Sequence, residues 1–163
     1  MSIKNLKPKK SKKGAPKQGY FKPSYPEKYL GDSDNIIYRS GWERKFCIYC
    51  DRNDKIVEWS SEPFAITYLN KIDAKKHKYY PDFYLKVDRG GGNFDRIIAE
   101  IKPKKYTQKP SIPKRKTKKK MRNYYYQAEQ FVKNASKWEA SKIACKQSGY
   151  KFEVITEDFI KKI

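Results

Sequence analysis

The sequence has few of the residues that disulfide frameworks and soft metal sites need. Its 163 residues include three cysteines and one histidine. An odd, small number of cysteines is typical of a protein made in a reducing compartment. Cys47 and Cys50 have a CxxC spacing, but only Cys145 and His77 could complete a zinc site, and on a helical pattern both thiols share a face with Phe46. Buried thiols therefore explain the pair better than zinc does.

Long apolar runs and acidic residues are also scarce. No apolar run approaches the ~20 residues that span a bilayer and no signal-peptide pattern opens the chain, so we expect a soluble protein, made in a cytoplasm, with no membrane contact. Lys and Arg outnumber Asp and Glu by 39 to 18, and of the net charge of +21, residues 1–28 carry +8 and residues 101–122 carry +11. Such concentrated runs are typical of segments that bind nucleic acid.

The order of apolar patterns and breakers predicts an α/β fold with a mixed sheet flanked by helices. Residues 1–30 are rich in Lys and Pro and predict an extended basic arm, which leaves residues 31–163 as one domain. Within the domain we predict a helix from Ser40 to about Asp51–Asp54, strands near residues 57–59 and 63–69, and a hairpin of residues 79–87 and 94–102. A basic loop over residues 103–121 follows. The remaining elements are two helices within residues 123–147 that meet near residues 134–136, a strand at residues 152–155 and a short last helix.

Two carboxylates fall on the predicted hairpin. If the hairpin folds about Gly91, Asp82 and Glu100 lie directly opposite each other, where like charges destabilise a sheet. Lys102 lies two residues after Glu100 and therefore points to the same face. A divalent cation between the two acids would relieve their repulsion, so this group indicates metal-dependent cleavage of a phosphate backbone.

The same residues match a known signature. Pro81-Asp82 followed by Glu100-Ile101-Lys102 has the form PD-(D/E)xK, which resembles the signature of the restriction-endonuclease-like fold. The segments Tyr38–Phe46 and Trp59–Glu62 narrow the resemblance to the head completion nucleases of T-even-type tailed phages. The endonuclease subunit of heteromeric transposases is a more distant resemblance.

The resemblance implies a set of site residues. Glu43, Asp82 and Glu100 would ligate Mg²⁺ or Mn²⁺ together with the carbonyl of Ile101, and Lys102 would be the catalytic lysine. Hard oxygen ligands of this kind suit Mg²⁺, and a bound metal lowers the pKa of an attacking water. For Glu43 an alternative stays open, because Ser40-x-x-Glu43 is also a helix capping box. Arg39 and Arg44 flank the predicted site, where they could contact phosphate or form surface ion pairs, and Glu62 belongs to the resemblance without an assigned role.

The resemblance also implies a biological role, namely trimming packaged DNA so that a phage tail can join the head. The protein would act at the head–neck vertex of the virion, with portal or neck proteins and double-stranded DNA as partners. We expect the basic stretch after the hairpin to hold the duplex backbone through Lys104, Lys105, Lys114, Arg115, Lys116, Lys118, Lys119 and Lys120. Two alternatives remain: a head or neck protein that binds DNA without cutting it, and a junction resolvase or transposition nuclease on the same fold.

Overall fold

Residues 17–163, which the computed structural model describes, fold into eight strands and three α-helices. In chain order these elements are β1 (Gly19–Phe21), β2 (Ile36–Tyr38), α1 (Gly41–Arg52), β3 (Ile56–Ser61), β4 (Ile66–Asn70), β5 (Lys75–Tyr79), β6 (Phe83–Gly90), β7 (Asn93–Ile101), α2 (Lys118–Gln147), β8 (Lys151–Ile155) and α3 (Glu157–Ile160).

A mixed four-stranded sheet lies at the centre, in the order β3-β6-β7-β8. Strands β7 and β8 are parallel and the other pairs are antiparallel. A parallel pair needs a crossover connection, which α2 provides. Alternate residues of the sheet face opposite sides, so Phe83 and Leu85 pack with α1, whereas Tyr84 and Ile98 pack with α2. The predicted mixed α/β sheet flanked by helices is confirmed.

The start of helix α1 is set by its N-cap residue, and its orientation is set by the apolar residues that it buries. The side chain of Ser40 caps the helix by accepting a hydrogen bond from the Glu43 amide. The buried face consists of Phe46, Cys47 and Cys50, and the ring of Phe46 lies 4.8 Å from that of Phe83 in an edge-on contact. Both cysteines are free and buried, in agreement with the prediction of core thiols.

The β6–β7 hairpin has the register that the sequence predicts. Phe83 pairs with Ala99 and Tyr84 with Ile98, and extending this register by one residue places Asp82 opposite Glu100. The turn itself differs slightly, because an irregularity after Asp88 moves the fold point to between Gly91 and Gly92. Both glycines have positive φ, as a two-residue hairpin turn requires.

The predicted strand of residues 79–87 begins later, at Phe83, and Tyr79 belongs to a preceding strand, β5, that was not predicted from the sequence. Strand β5 ends at Tyr79 and pairs with β4, while β6 begins at Phe83 and joins the central sheet. Pro81 has no amide hydrogen to donate to a ladder, so the chain leaves one sheet and enters the other at this residue. The separate β4–β5 hairpin packs its buried residues Ile66, Tyr68 and Tyr79 against α2.

Two predictions about the helix after the basic stretch are wrong. Helix α2 begins at Lys118 rather than near Asn123, because the side chain of Thr117 caps it by accepting from the Lys120 amide. Lys118, Lys119 and Lys120 therefore form the first turn of a helix and not part of a loop. The helix also runs without a break through residues 134–136, where the side chains of Asn134 and Ser136 are buried.

The last part of the predicted arm is attached to the domain. Strand β1 pairs with β2, and the carboxylate of Asp51 accepts hydrogen bonds from the amides of Ser24 (2.8 Å) and Tyr25 (3.0 Å). Lys28 Nζ donates to the carbonyl of Asp51 at 2.8 Å. Attached structure therefore begins well before residue 31. Residues 1–16 of the predicted arm lie outside the described residues.

Candidate active site

The two carboxylates of the hairpin lie at the end of the sheet where β7 finishes. Asp82 Oδ2 accepts a hydrogen bond from the amide of Ile101 at 2.7 Å, so Asp82 reaches across to the neighbouring strand. Glu100 is only 3 % exposed, and its Oε1 lies 3.2 Å from Lys102 Nζ. The structure thus brings Asp82, Glu100 and Lys102 together as the register requires.

One oxygen of Glu100 has no protein partner. Oε2 is buried and accepts no hydrogen bond from residues 17–163. The contact with Lys102 is made by the other oxygen, Oε1. A buried charged oxygen without a protein partner is costly, and in native structures such an atom is bound by an ordered water, a ligand or an ion.

The carbonyl of Ile101 is directed toward Asp82. The Lys102 amide donates to Ile155 on β8, whereas the Ile101 amide donates to Asp82 on the β6 side. Because the amide and carbonyl of one strand residue point to the same neighbouring strand, the Ile101 carbonyl also points to the β6 side. It therefore lies on the same side of β7 as Asp82.

Glu43 lies on the first turn of α1, and its carboxylate is occupied by local hydrogen bonds. Oε2 accepts from the amide of Arg39 at 2.6 Å, and Oε1 accepts from the hydroxyl of Ser40 at 3.0 Å. The capping alternative is therefore present, with one change: Glu43 reaches back to the amide of Arg39 and not to that of Ser40. In this arrangement Glu43 fixes the helix start beside the other acids.

The electrostatics of the site favour a cation. Burial, followed by repulsion from Glu100 and Glu43, raises the pKa of Asp82 well above its ordinary value, and the Ile101 amide and Lys102 only partly oppose this. Burial also raises the pKa of Glu43. Burial lowers the pKa of Lys102, but attraction by Glu100 and Asp82 outweighs it and leaves that pKa raised. Negative charge is thus crowded, and one lysine balances it only in part.

The donor set fits a hard divalent cation, although the ligands are not yet assembled. Among residues 17–163 no three Asp, Glu, His or Cys side chains form a group that could hold a metal in the present geometry. Glu43 is engaged in its cap and Glu100 in its lysine contact. The unpaired Glu100 oxygen, Asp82 and the Ile101 carbonyl are nevertheless hard oxygen donors of the type that Mg²⁺ takes.

Arg39 and Glu62 form the wall of the site on the β3 side. The Arg39 guanidinium binds Glu62 through two contacts of 2.7 and 3.0 Å, and the Glu62 amide donates to the Asp82 carbonyl at 2.9 Å. Glu62 has a φ of 46°, which is strained for a residue other than glycine. This backbone conformation places Glu62 next to Asp82 and fixes the Pro81-Asp82 segment between the two sheets.

The residues predicted to bind DNA divide into two groups. Lys104 is already paired, because its amide and ammonium contact Glu157 and Asp158, each at 2.8 Å. Lys105 lies over the ring of Tyr106. The others are exposed to solvent, namely Lys114, Arg115, Lys116, Lys118, Lys119 and Lys120. These exposed cations at residues 114–120, adjacent in sequence, are called here the cationic surface around the start of α2.

Comparison with known proteins identifies the family of this chain. Residues 53–157 match the family model described as TnsA-like endonuclease N terminal. The chain belongs to the TnsA-like endonuclease family. Asp82, Glu100 and Lys102 lie inside the matched range, and Glu43 lies before it. Domains of this family have the restriction-endonuclease-like fold, which confirms the predicted fold class and supports a nuclease role.

A curated relative extends the match beyond that range. The chain is 34% identical over 145 residues to a protein of Enterobacteria phage T4 named "Head completion nuclease", covering 89% of this chain and 94% of the relative. No solved structure matches significantly. The match to the T4 protein confirms the resemblance to the phage head completion nucleases. No helix among residues 17–163 is long and apolar enough to cross a membrane.

Proposed function

We propose that this chain is a divalent-metal-dependent DNA nuclease that acts in completing a phage head. The observation that carries the proposal is the buried, unpaired oxygen of Glu100, placed opposite Asp82 and next to Lys102. A carboxylate pair of this kind, with a lysine on the same face, is suited to binding a cation and a phosphate together.

Each side chain then has a distinct role. Asp82, Glu100 and the Ile101 carbonyl would hold Mg²⁺ or Mn²⁺, and Glu43 would join them by leaving its cap. The metal would polarise the phosphate and would lower the pKa of the attacking water. Lys102, once its partner Glu100 turns to the cation, is free to orient that water or to stabilise charge on the phosphoryl oxygens.

The cationic surface around the start of α2 would bind the duplex backbone. Contacts of lysine and arginine with phosphates carry no sequence information by themselves, so cleavage should depend little on sequence. The T4 relative supports the biological setting, because its name refers to head completion and the chain covers 94% of it. The proposed location is the head–neck vertex of the virion, with portal or neck proteins as partners.

Cleavage of supercoiled plasmid by the purified full-length protein tests the enzymatic part of the proposal. We expect cutting with Mg²⁺ or Mn²⁺, none with EDTA, and loss of cutting in Asp82→Asn and Glu100→Gln with DNA binding retained. Asp54→Asn, an exposed acid outside the site, is the matched control. Binding without cleavage under every metal condition would contradict the proposal and favour a structural DNA-binding protein. A strong preference for branched over linear duplex would contradict the head-completion role.

A further inference from the structure

Helix α2 brings a second lysine to the acidic site. The helix packs on the face of the sheet that carries Tyr84 and Ile98, and Glu100 points to this same face. Lys137 lies on this helix, and the charges of Glu100, Asp82 and Lys102 all affect its pKa. No chemical role is predicted for Lys137 from the sequence, and its position follows from the packing of α2.

Two tyrosines hold the Lys137 ammonium in place. Nζ lies 5.3 Å from the ring centre of Tyr79 and 5.9 Å from that of Tyr68, both within the range of a cation–π contact. The two rings meet edge to face at 5.7 Å, and each tyrosine is only 7 % exposed. The Tyr79 hydroxyl is hydrogen-bonded to Ser141 on the next turn of α2. The hairpin and the helix thus fix one another around this ammonium.

Lys137 is not neutralised by a carboxylate. Lys102 pairs with Glu100 and Lys133 with Glu129, whereas Lys137 forms no ion pair with a carboxylate of residues 17–163. Burial lowers the pKa of Lys137, and attraction by Glu100 and Asp82 offsets this lowering only in part. Aromatic faces orient a cation but do not cancel its charge. A half-buried ammonium of this kind is a ready partner for an anion that enters the site.

We propose that Lys137 binds a non-bridging oxygen of the phosphodiester that is cleaved, from the side of the site opposite to α1. This inference rests on the proposed nuclease function. The phosphate would then lie between the cation held by Asp82 and Glu100 and the ammonium held by Tyr68 and Tyr79. Lys137 would offset the negative charge that develops on the phosphoryl oxygens, while Lys102 remains available to the attacking water.

Kinetics of a matched pair of variants tests the role. We expect Lys137→Gln to lower kcat by at least ~10-fold, as for loss of one transition-state donor, with little change in the DNA concentration at half-maximal rate. Lys137→Arg should recover much of kcat, because it retains the charge. Lys142→Gln, which changes an exposed lysine of the same helix, should match the wild type. Wild-type kcat in Lys137→Gln, or equal loss in Lys137→Gln and Lys137→Arg, would overturn the proposal.

Chemical protection separates this proposal from the nuclease function. A short duplex bound in EDTA should protect Lys137, but not Lys142, from acetylation measured by mass spectrometry. Lack of protection at Lys137 would overturn the phosphate contact even if the protein cuts DNA. Protection together with no cleavage by the wild type under any metal condition would remove the proposed function and leave the phosphate contact standing.

Discussion

Replacing Asp82 with asparagine should stabilise the metal-free protein while it abolishes cleavage. The asparagine side chain keeps an oxygen that can accept from the Ile101 amide, so the change removes charge and little else. Opposed strand residues lie about 5 Å apart, and two like charges at that distance repel by about 3 kcal/mol at an effective dielectric of about 20. Because Lys102 already offsets part of this repulsion, we expect a net gain of ~1–2 kcal/mol.

Thermal unfolding with and without metal measures this effect. A gain of that size corresponds to a rise in Tm of about 2–8 °C for a domain of this length. In EDTA at about pH 7, Asp82→Asn should melt above the wild type. Added Mg²⁺ should raise the Tm of the wild type, since a ligand of the folded state stabilises it, and should leave the variant unchanged. Asp54→Asn serves as the control in both conditions.

The difference between the two proteins should depend on pH. Folding raises the pKa of Asp82, so the folded protein holds this proton more tightly than the unfolded chain does. The stability that this group contributes is fully present below the unfolded pKa of about 3.9 and is lost as the pH rises through the folded pKa. The advantage of Asp82→Asn should therefore vanish near about pH 4 and grow toward about pH 8. A variant that is less stable than the wild type at neutral pH in EDTA would refute the electrostatic reasoning.

Three further predictions concern the parts of the fold around the site. Replacing Lys118, Lys119 and Lys120 with glutamine should reduce the slope of log K for DNA binding against log salt concentration by up to about 2.7, which is about 0.9 for each lost phosphate contact. An unchanged slope would exclude phosphate contacts by these three lysines. Ala135→Pro should lower the free energy of unfolding in urea by about 3 kcal/mol or more, because α2 is continuous at that point. An unchanged free energy of unfolding would indicate two helices. Asp51→Ala should lower stability by about 1–3 kcal/mol and speed hydrogen exchange at the two amides that this carboxylate binds, and unchanged exchange would show that Asp51 does not hold the arm.

The hairpin register could be predicted because local chemistry determines it. Glycines mark the turn, the strand period is two, and the positions of Asp82, Glu100 and Lys102 follow from those two facts alone. The separate strand β5 and the later start of β6 were missed, although Pro81 signals a boundary between them. Apolar residues continue on both sides of that proline, and only the pairing of β5 with β4 shows that two sheets are involved.

Other features depend on contacts between residues far apart in sequence. The pairing of β1 with β2 has no turn signal, since residues 22–35 connect the two strands through irregular chain and short helical turns. The sequence predicts a loop as far as residue 121 because Pro103, Pro110 and Pro113 interrupt the basic stretch, whereas the cap at Thr117 starts α2 only four residues after the last of these prolines. The role of Lys137 depends on two tyrosines of the β4–β5 hairpin, far earlier in the chain.

The unbroken helix α2 sets a length scale for the substrate. Lys118 and Lys137 are nineteen residues apart on one helix, so their backbones are separated by roughly 28 Å at about 1.5 Å per residue. B-form duplex rises about 3.4 Å per base pair, which makes this distance about eight base pairs. If α2 lies along the duplex, its first turn would contact a strand at most about eight base pairs from the scissile bond, and a duplex ending short of that footprint would be held by the cleavage site alone.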